Sequence, residues 1–308
     1  MRQAEATRPL GAAHTLDRAD AMLVFANILW SLNYATTKYA FRAWDPMAFA
    51  VSRFAMAGVV FSAYVWWREG SLRVSRRDLP LVAGAAAIGI MLNQVTFNYA
   101  VDRTSAGNVA LILASSPAFA AIFASLLRHE QVRPRHYLAV ALSVVGVGVV
   151  IQGGSGLHGV SLSGDLLAVG AAVTWAAYAV MLRPLFGRYS AARLSALMML
   201  MGGVMLAPVG VPQAVSQNWS GVHGLDIAAW MYSAIFPLVV TNLLFFRALR
   251  RIGAARATLY MYLQPFLGAL FAAALLGERV TAVEVAGGVV IVAGVSVGQL
   301  MPGAAVRE

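Results

Sequence analysis

The chain has 308 residues, 60% of them hydrophobic and only 12% charged, with a net charge of +10 and no cysteine. A soluble domain carries roughly 25% charged residues, so this chain has too few charges to cover a water-facing surface, and its apolar content excludes disorder. Without cysteine there are no disulfides, no thiolate metal sites and no thiol catalysis.

Reading the gaps between Asp, Glu, Lys, Arg and His gives ten long uncharged stretches: 21–37, 54–67, 79–101, 104–127, 137–157, 166–182, 194–222, 227–246, 257–277 and 285–306. The second is cut by Arg53 and spans 46–67 once Met47 to Phe54 is restored; the seventh must include a loop near Pro212 to Asn218. A helix needs about 20 mostly apolar residues to cross the hydrocarbon core. None of the stretches alternates with period two, as barrel strands would. The expected fold is an all-α polytopic membrane protein of ten transmembrane helices with short loops. The first nineteen residues, with Arg2, Arg8 and Arg18, have the charge of a signal-peptide head. The run that follows holds Trp30, Asn33 and Lys38 and lacks a small-residue cleavage pattern, so it is read as the first helix.

With the N-terminus placed in the cytoplasm, eighteen of the 23 Lys and Arg residues fall on even-numbered loops and the termini. The other five, Lys38, Arg42, Arg53, Arg103 and Arg279, fall outside or near the outer helix ends. That bias orients the chain with both termini cytoplasmic in a bacterial-type inner membrane. It also assigns the basic charge to lipid head groups. Nucleic acid is not an expected partner, because no basic domain with interleaved aromatics is present.

The second half echoes the first. A shift of 148 residues lays Phe97 to Val149 on Phe245 to Val297, matching Pro117 with Pro265, Phe123 with Phe271, Glu130 with Glu278 and Gly146 with Gly294. A shift of 145 lays Trp30 on Trp175 and Lys38 on Arg183. The repeat unit is five helices, an odd number, so the second copy enters the membrane inverted. Many secondary transporters are built this way, with the substrate site between the halves near the midplane. The expected organisation is an N-terminal cytoplasmic tail (1–19), a first repeat (20–152), an outer connecting loop (153–163), a second repeat (164–301) and a C-terminal cytoplasmic tail (302–308).

The segment ALILASSPAFAAIFASLLRHEQV (Ala110 to Val132) and its echo TLYMYLQPFLGALFAAALLGERV (Thr258 to Val280) each carry a mid-segment Pro and a late Glu. They resemble the paired signature of the EamA-like transporters of the drug/metabolite transporter superfamily, and the resemblance covers essentially the whole chain. It implies a five-plus-five inner-membrane carrier in which helices 1, 3, 4, 6, 8 and 9 surround a central cavity and helices 5 and 10 lie outside. It also implies export of amino acids or other metabolites. The aromatic content of the expected cavity is most similar to that of the aromatic amino acid exporters.

Polar and aromatic residues at mid-helix are the candidates for the pathway. Trp44, Trp66, Trp67, Trp219 and Trp230 lie near helix ends, where tryptophan commonly forms the interfacial belt. Trp30 and Trp175 lie deeper and are repeat-equivalent. Spacing of three and four puts Trp30, Asn33 and Thr37 on one face of helix 1, and Trp175 with Tyr178 on one face of helix 6. Helix 3 offers Gln94, Asn98 and Tyr99; helix 4 offers Asn108, Ser115 and Ser116 before Pro117; helix 8 offers Thr241 and Asn242; helix 9 offers Tyr260 and Gln264. Asn and Gln at lipid depth are costly unless paired, so each either joins helices or faces a polar pathway. Amides and hydroxyls can replace the hydration of an ammonium or a carboxylate, and aromatic faces can hold a ring or a cation. Lys38 and Arg53 either attract a carboxylate or reach to the interface. Pro117, Pro237 and Pro265 remove mid-helix hydrogen bonds, which permits bending and gating. Pro208 and Pro212 mark the exit of helix 7, and Gly294 with Gly298 forms a close-packing face toward helix 5 or another subunit.

Every Asp, Glu and His falls at a helix end, in a loop or in a tail, so no buried carboxylate or histidine proton switch is expected. No GxxxxGK[ST] loop occurs, so neither ATP nor an ATPase subunit is expected to drive transport. Transport is then facilitated diffusion or exchange of a small molecule, with membrane lipids as the other partner and no cofactor or metal. Glu130 and Glu278 cap a neighbouring helix, pair with an Arg or serve a gate. A lipophilic-cation or broader metabolite exporter is the alternative within transport. An intramembrane enzyme would need a buried nucleophile with a base, or a metal site, and no such cluster sits at membrane depth.

Overall fold

The computed structural model describes residues 18–126, 134–154, 160–252, 257 and 260–300. Among these the chain is wholly helical. The helices are α1 (Arg18–Ala40), α2 (Pro46–Glu69), α3 (Leu79–Arg103), α4 (Ala106–Leu113, continued by Ser116–Leu126) and α5 (Pro134–Gly154) in the first half. The second half holds α6 (Leu162–Leu182), α7 (Ala191–Ser216), α8 (Gly224–Ile252), α9 (Tyr260–Leu276) and α10 (Ala282–Leu300). Helices α2 to α8 are long and apolar enough to cross a membrane; α9 and α10 are apolar but shorter as described. Helix α1 has the length, at 23 residues, but carries several polar residues, among them Asp20, Asn27, Asn33 and Lys38. At 1.5 Å per residue, the 24 residues of α2 run about 36 Å. This is a multi-pass membrane protein of ten helices in two five-helix halves.

Local sequence sets the helix ends. Ser105, Ser161 and Ser190 cap α4, α6 and α7, each accepting from the backbone N–H three residues on. Gly70 and Gly277 close α2 and α9 at φ +68° and +67°, the left-handed region that favours glycine.

The loops joining α1–α2, α3–α4, α7–α8 and α9–α10 share one face, called here the odd face, and those joining α2–α3 and α6–α7 share the other, the even face. Side-chain bonds tie each face together. On the odd face Gln217 of α7 accepts from Asp45 N (2.7 Å) and donates to Ala43 O (2.7 Å). On the even face Arg188 pairs with Asp78 at 2.6 Å and Arg193 with Glu69 at 3.0 Å.

Two helix pairs are self-symmetric: α2 lies along α7, and α5 along α10. The remaining helices form two interleaved groups. Helix α1 leaves its own half to pack on α8 and α9, while α6 packs on α3 and α4. Lipid is as apolar as leucine, so close packing and polar contacts hold helices together, and hydrophobic burial does not. Glycine supplies the close packing. A Cβ at Gly146 would lie 2.8 Å from Gly287 O, and one at Gly287 would lie 2.8 Å from Gly146 O. Gly294 likewise abuts Leu142 and Ala139 of α5, so its partner is α5 of the same chain. The side-chain surroundings of Gly298 lie outside the described residues.

One expectation fails here. Helix α7 does not exit near Pro208 and Pro212 but continues to Ser216. Both prolines are exposed. The packed side is pinned to the start of α2, where Gln213 accepts from Met47 N at 3.1 Å.

The α5–α10 seam yields a paired test. Gly146→Leu should lower the stability of the detergent-purified protein by about 1–3 kcal/mol through overpacking. Gly148→Leu, whose Cβ would meet nothing within 4 Å, should leave it nearly unchanged. Thermal unfolding followed by size-exclusion monitors both variants.

Candidate functional site

The third and fourth helices of each half are irregular at equivalent places. Helix α3 takes a wide π turn over Ala87–Leu92, and α8 does so over Phe236–Val240. The 148-residue shift sets Gly89 on Pro237. Pro237 withholds the N–H that Ser233 O would otherwise receive. Gly89 serves a different need: a Cβ there would lie 2.1 Å from the Tyr178 ring. Helix α4 breaks at Ala114 and Ser115 just before Pro117, and α9 opens with a tight 3-10 turn, Tyr260–Leu263, just before Pro265. In lipid every freed backbone group needs an internal partner. Ser116 Oγ donates to Leu113 O at 2.7 Å, replacing the N–H that Pro117 lacks, and Ser115 Oγ donates to Ile112 O at 2.7 Å. The two serines are thus engaged with their own helix.

The α1 side of the molecule gathers one set of candidates. Trp30 Nε1 donates to Pro237 O at 3.0 Å, with its ring 5.6 Å from that of Phe245. Thr241 Oγ1 donates to the same carbonyl, and Asn242 Nδ2 donates to Leu238 O at 2.9 Å. Asn33 Oδ1 accepts from Ser233 Oγ (2.8 Å) and from Thr37 Oγ1 (3.4 Å). Tyr232 OH donates to Leu29 O at 2.7 Å. Toward the even face, Gln264 Nε2 donates to Asn27 Oδ1 (3.0 Å) and Ser31 Oγ to Gln264 O (3.3 Å). Beyond them Tyr260 OH donates to Asp20 Oδ1 at 2.8 Å.

The second set lies where α2, α3 and α6 meet. Asn93 Nδ2 donates to Ala171 O (2.8 Å) and Thr174 Oγ1 (3.1 Å). Gln94 Nε2 donates to Asn93 Oδ1 at 3.2 Å, and Gln94 Oε1 accepts from Arg53 Nη2 (2.5 Å) and Asn98 Nδ2 (3.2 Å). Trp175 keeps 42% of its surface exposed, its ring 5.3 Å from that of Tyr178. Tyr99 stands apart, nearer the odd face, where its OH accepts from Gln213 Nε2 at 2.9 Å.

The two groups meet on the odd face. The first segment of α4 packs along α9 through small residues: a Cβ on Gly268 would lie 2.5 Å from Ala110 Cβ, and one on Gly107 3.8 Å from Ala272 Cβ. Glu278 seals the junction, accepting from Ala106 N (3.0 Å) and Gly107 N (3.1 Å) at the start of α4. Lys38 donates to Asp102 O (2.8 Å) and Thr104 O (2.9 Å) at the end of α3. Past its break, α4 turns to α6, α5 and α10. The last part of α3 packs on α1, but the equivalent pairing of α8 with α6 is not among the packed pairs of the described residues. Among the described residues the two groups therefore pack on each other toward the odd face, and no packed pair joins α6 to α8.

Several polar members of these two sets were not among the residues singled out from the sequence. Asn27, Asn93, Thr174, Tyr232 and Ser233 complete the two sets, and only their depth within helices marked them. Arg53 does not reach to the interface but is buried. Asp20, Asp165 and Glu284 lie at helix ends, as read, yet all three are buried. Asp165 accepts from Thr104 Oγ1 (2.7 Å) and Asn108 Nδ2 (3.1 Å), and Glu284 Oε2 accepts from Thr281 N (2.6 Å). Asp20 and Asp165 bond to a neighbouring helix and Glu284 closes its own helix start, so position along a helix did not report burial. Trp66 and Trp67 are exposed at the end of α2, as a belt requires, whereas Trp44 is buried against Trp219 and Trp230. Glu130 lies outside the described residues.

Comparison with known proteins follows the same lines. A family model described as the EamA-like transporter family matches residues 17–152 and again 162–297. An uncharacterized transporter of Archaeoglobus fulgidus is 25% identical over 276 residues, covering 89% of this chain and 94% of its own. A protein of Streptantibioticus cattleyicolor, named as a probable terminal-alkyne amino-acid exporter, is 25% identical over 283 residues, covering 91% and 93% respectively. One solved crystal structure, 19% identical, matches in fold with a TM-score of 0.64 over 92% of this chain and 98% of that one.

The Glu278 cap carries a prediction. Glu278→Ala leaves two backbone N–H groups at the start of α4 without a charged acceptor and should cost about 1–2 kcal/mol of stability. Glu278→Gln, which can still accept, should cost less. Thermal unfolding in detergent compares the two.

Proposed function

The chain belongs to the EamA-like transporter family, and from that premise we propose that it exports amino acids, aromatic ones foremost, across the cytoplasmic membrane. The carrier works by alternating access, as facilitated diffusion or exchange down the solute gradient, with no ATP-hydrolysing partner. The observation that carries the reading is the packing of two interleaved helix groups on each other toward the odd face, with amides, hydroxyls and aromatic rings gathered at the irregular turns of α3 and α8. Those turns are where a polar solute can exchange hydrogen bonds with the protein at little cost, because the groups there already bond through side chains. Trp30, Trp175, Tyr178 and Tyr260 supply faces for a ring, and Asn33, Gln94, Asn98, Asn242 and Gln264 supply polar contacts. Pro237 and Pro265, with the break before Pro117, let α4, α8 and α9 bend as the groups move. The amino-acid part is supported by the similarity to the probable terminal-alkyne amino-acid exporter. With both termini cytoplasmic, the odd face, where the groups pack together, is the outer one.

Purified protein in liposomes provides the test. Labelled phenylalanine or tryptophan should exchange across the bilayer, and Trp30→Ala should cut that flux by about tenfold through lost ring contact while the variant still inserts. Absence of amino-acid flux, with lipophilic cations carried instead, would replace this reading by the cation-exporter one.

Coupling has its own outcome. The buried carboxylates are held at helix starts, so a pH gradient imposed without a solute gradient should drive no accumulation. Uphill accumulation of phenylalanine under that gradient alone would show proton coupling.

A further inference from the structure

Arg53 lies seven residues past the first residue of α2, which places it about 10 Å below the odd-face end of that helix. Only 2% of its surface is exposed. A guanidinium has five N–H donors. Here Nη2 donates to Gln94 Oε1 at 2.5 Å, while Nε and Nη1, three of those donors, have no acceptor. The rings of Phe49 and Phe54 lie 5.2 and 5.6 Å from its central carbon. Its one hydrogen-bond acceptor among the described residues is a neutral amide, and the ion pairs found among them, Arg188–Asp78 and Arg193–Glu69, are elsewhere.

A buried charge ordinarily has a partner of opposite sign. The surroundings show what is missing. Asn98 Nδ2 donates to the same Gln94 Oε1 at 3.2 Å, and Asn98 Oδ1 is buried without a partner. Free donors of a fixed cation and a free acceptor therefore flank one amide oxygen. The second half has no arginine at the equivalent place: the positions set on Arg53 by shifts of 145 and 148 are Met198 and Met201. The site is thus not a structural element required by the repeat.

We infer that Arg53 is the carboxylate-recognition residue of this carrier, with Asn98 Oδ1 receiving the ammonium of the same zwitterion. The inference rests on the amino-acid exporter reading and names the group that selects the substrate. In the arrangement described the site is closed, so the ligand reaches it when α3 moves from α2. The arginine fork suits a carboxylate in a way a lysine does not.

The test uses counterflow of labelled phenylalanine into liposomes holding the full chain. Competitors are phenylalanine, phenylalaninamide, which lacks the carboxylate, and phenylpropionate, which lacks the ammonium. In the native protein, phenylalaninamide should compete about tenfold or more weakly than phenylalanine. In Arg53→Gln that difference should vanish. Retained discrimination in Arg53→Gln, or none in the native protein, overturns the inference. If Arg53→Gln does not insert, Arg53→Lys carries the same comparison: a partial loss of discrimination supports the inference and full retention overturns it. Thermal stabilisation of the detergent-purified protein in chloride-free buffer separates this inference from the functional reading. Stabilisation of the native chain but not of Arg53→Gln by phenylpropionate upholds the Arg53 site even where no amino acid is transported. Amino-acid flux indifferent to Arg53 upholds the exporter reading alone. Equal stabilisation by chloride would mark an inorganic-anion site and overturn the inference.

Discussion

The contact between α4 and α9 at the odd face is the constraint on which the rest of the arrangement depends. Backbones can approach that closely only where side chains are small, and Gly107, Ala110, Gly268, Ala269 and Ala272 supply that seam. Packing of this kind gains no hydrophobic free energy inside a bilayer. It is held by dispersion and by a few polar contacts, each worth about 1 kcal/mol or less in lipid. Glu278 and Lys38 add charge-assisted bonds to the ends of α4 and α3. In the proposed alternating access, a seam of that strength is firm enough to hold one face closed and weak enough to be exchanged for its mirror equivalent.

Away from that seam, the chain spends its irregular backbone where the halves interleave. A regular helix satisfies itself and offers nothing to a solute. Widened turns in α3 and α8 and the breaks before Pro117 and Pro265 expose backbone groups at mid-depth. The accounting then closes through side chains, several from the other half, as with Trp30 on Pro237 O and Ser31 on Gln264 O. Arg53 is the conspicuous entry left unbalanced, and its lack of a repeat counterpart suits a directional requirement, set by a ligand, more than a structural one.

Much of the fold was legible because a bilayer makes hydropathy and charge placement unusually informative. Ten apolar runs and the 148-residue echo of proline, glutamate and glycine specified ten helices in two halves. Three features were not. Pro208 and Pro212 read as a helix exit, but a proline on an exposed face does not end a helix whose opposite side is pinned by Gln213 and Gln217. The π turn at Gly89 has no proline to announce it. It becomes visible only beside the ring of Tyr178. The burial of Asp20, Asp165 and Arg53 depends on neighbouring helices, which a one-dimensional count of residues from a helix end cannot supply. Among the residues that depth and spacing made pathway candidates, Trp30, Asn33 and Gln264 bond to the other half, whereas Ser115 and Ser116 bond to their own helix.

The native chain has no cysteine, so the seam can be locked without background. Side chains at Gly107 and Ala272 would place their Cβ atoms 3.8 Å apart, the spacing of a disulfide. The measurement is phenylalanine exchange by Gly107→Cys/Ala272→Cys protein in liposomes before and after oxidation. If the odd face must open for transport, oxidation abolishes exchange and reduction restores it. Exchange unaffected by a fully formed bridge would contradict the account.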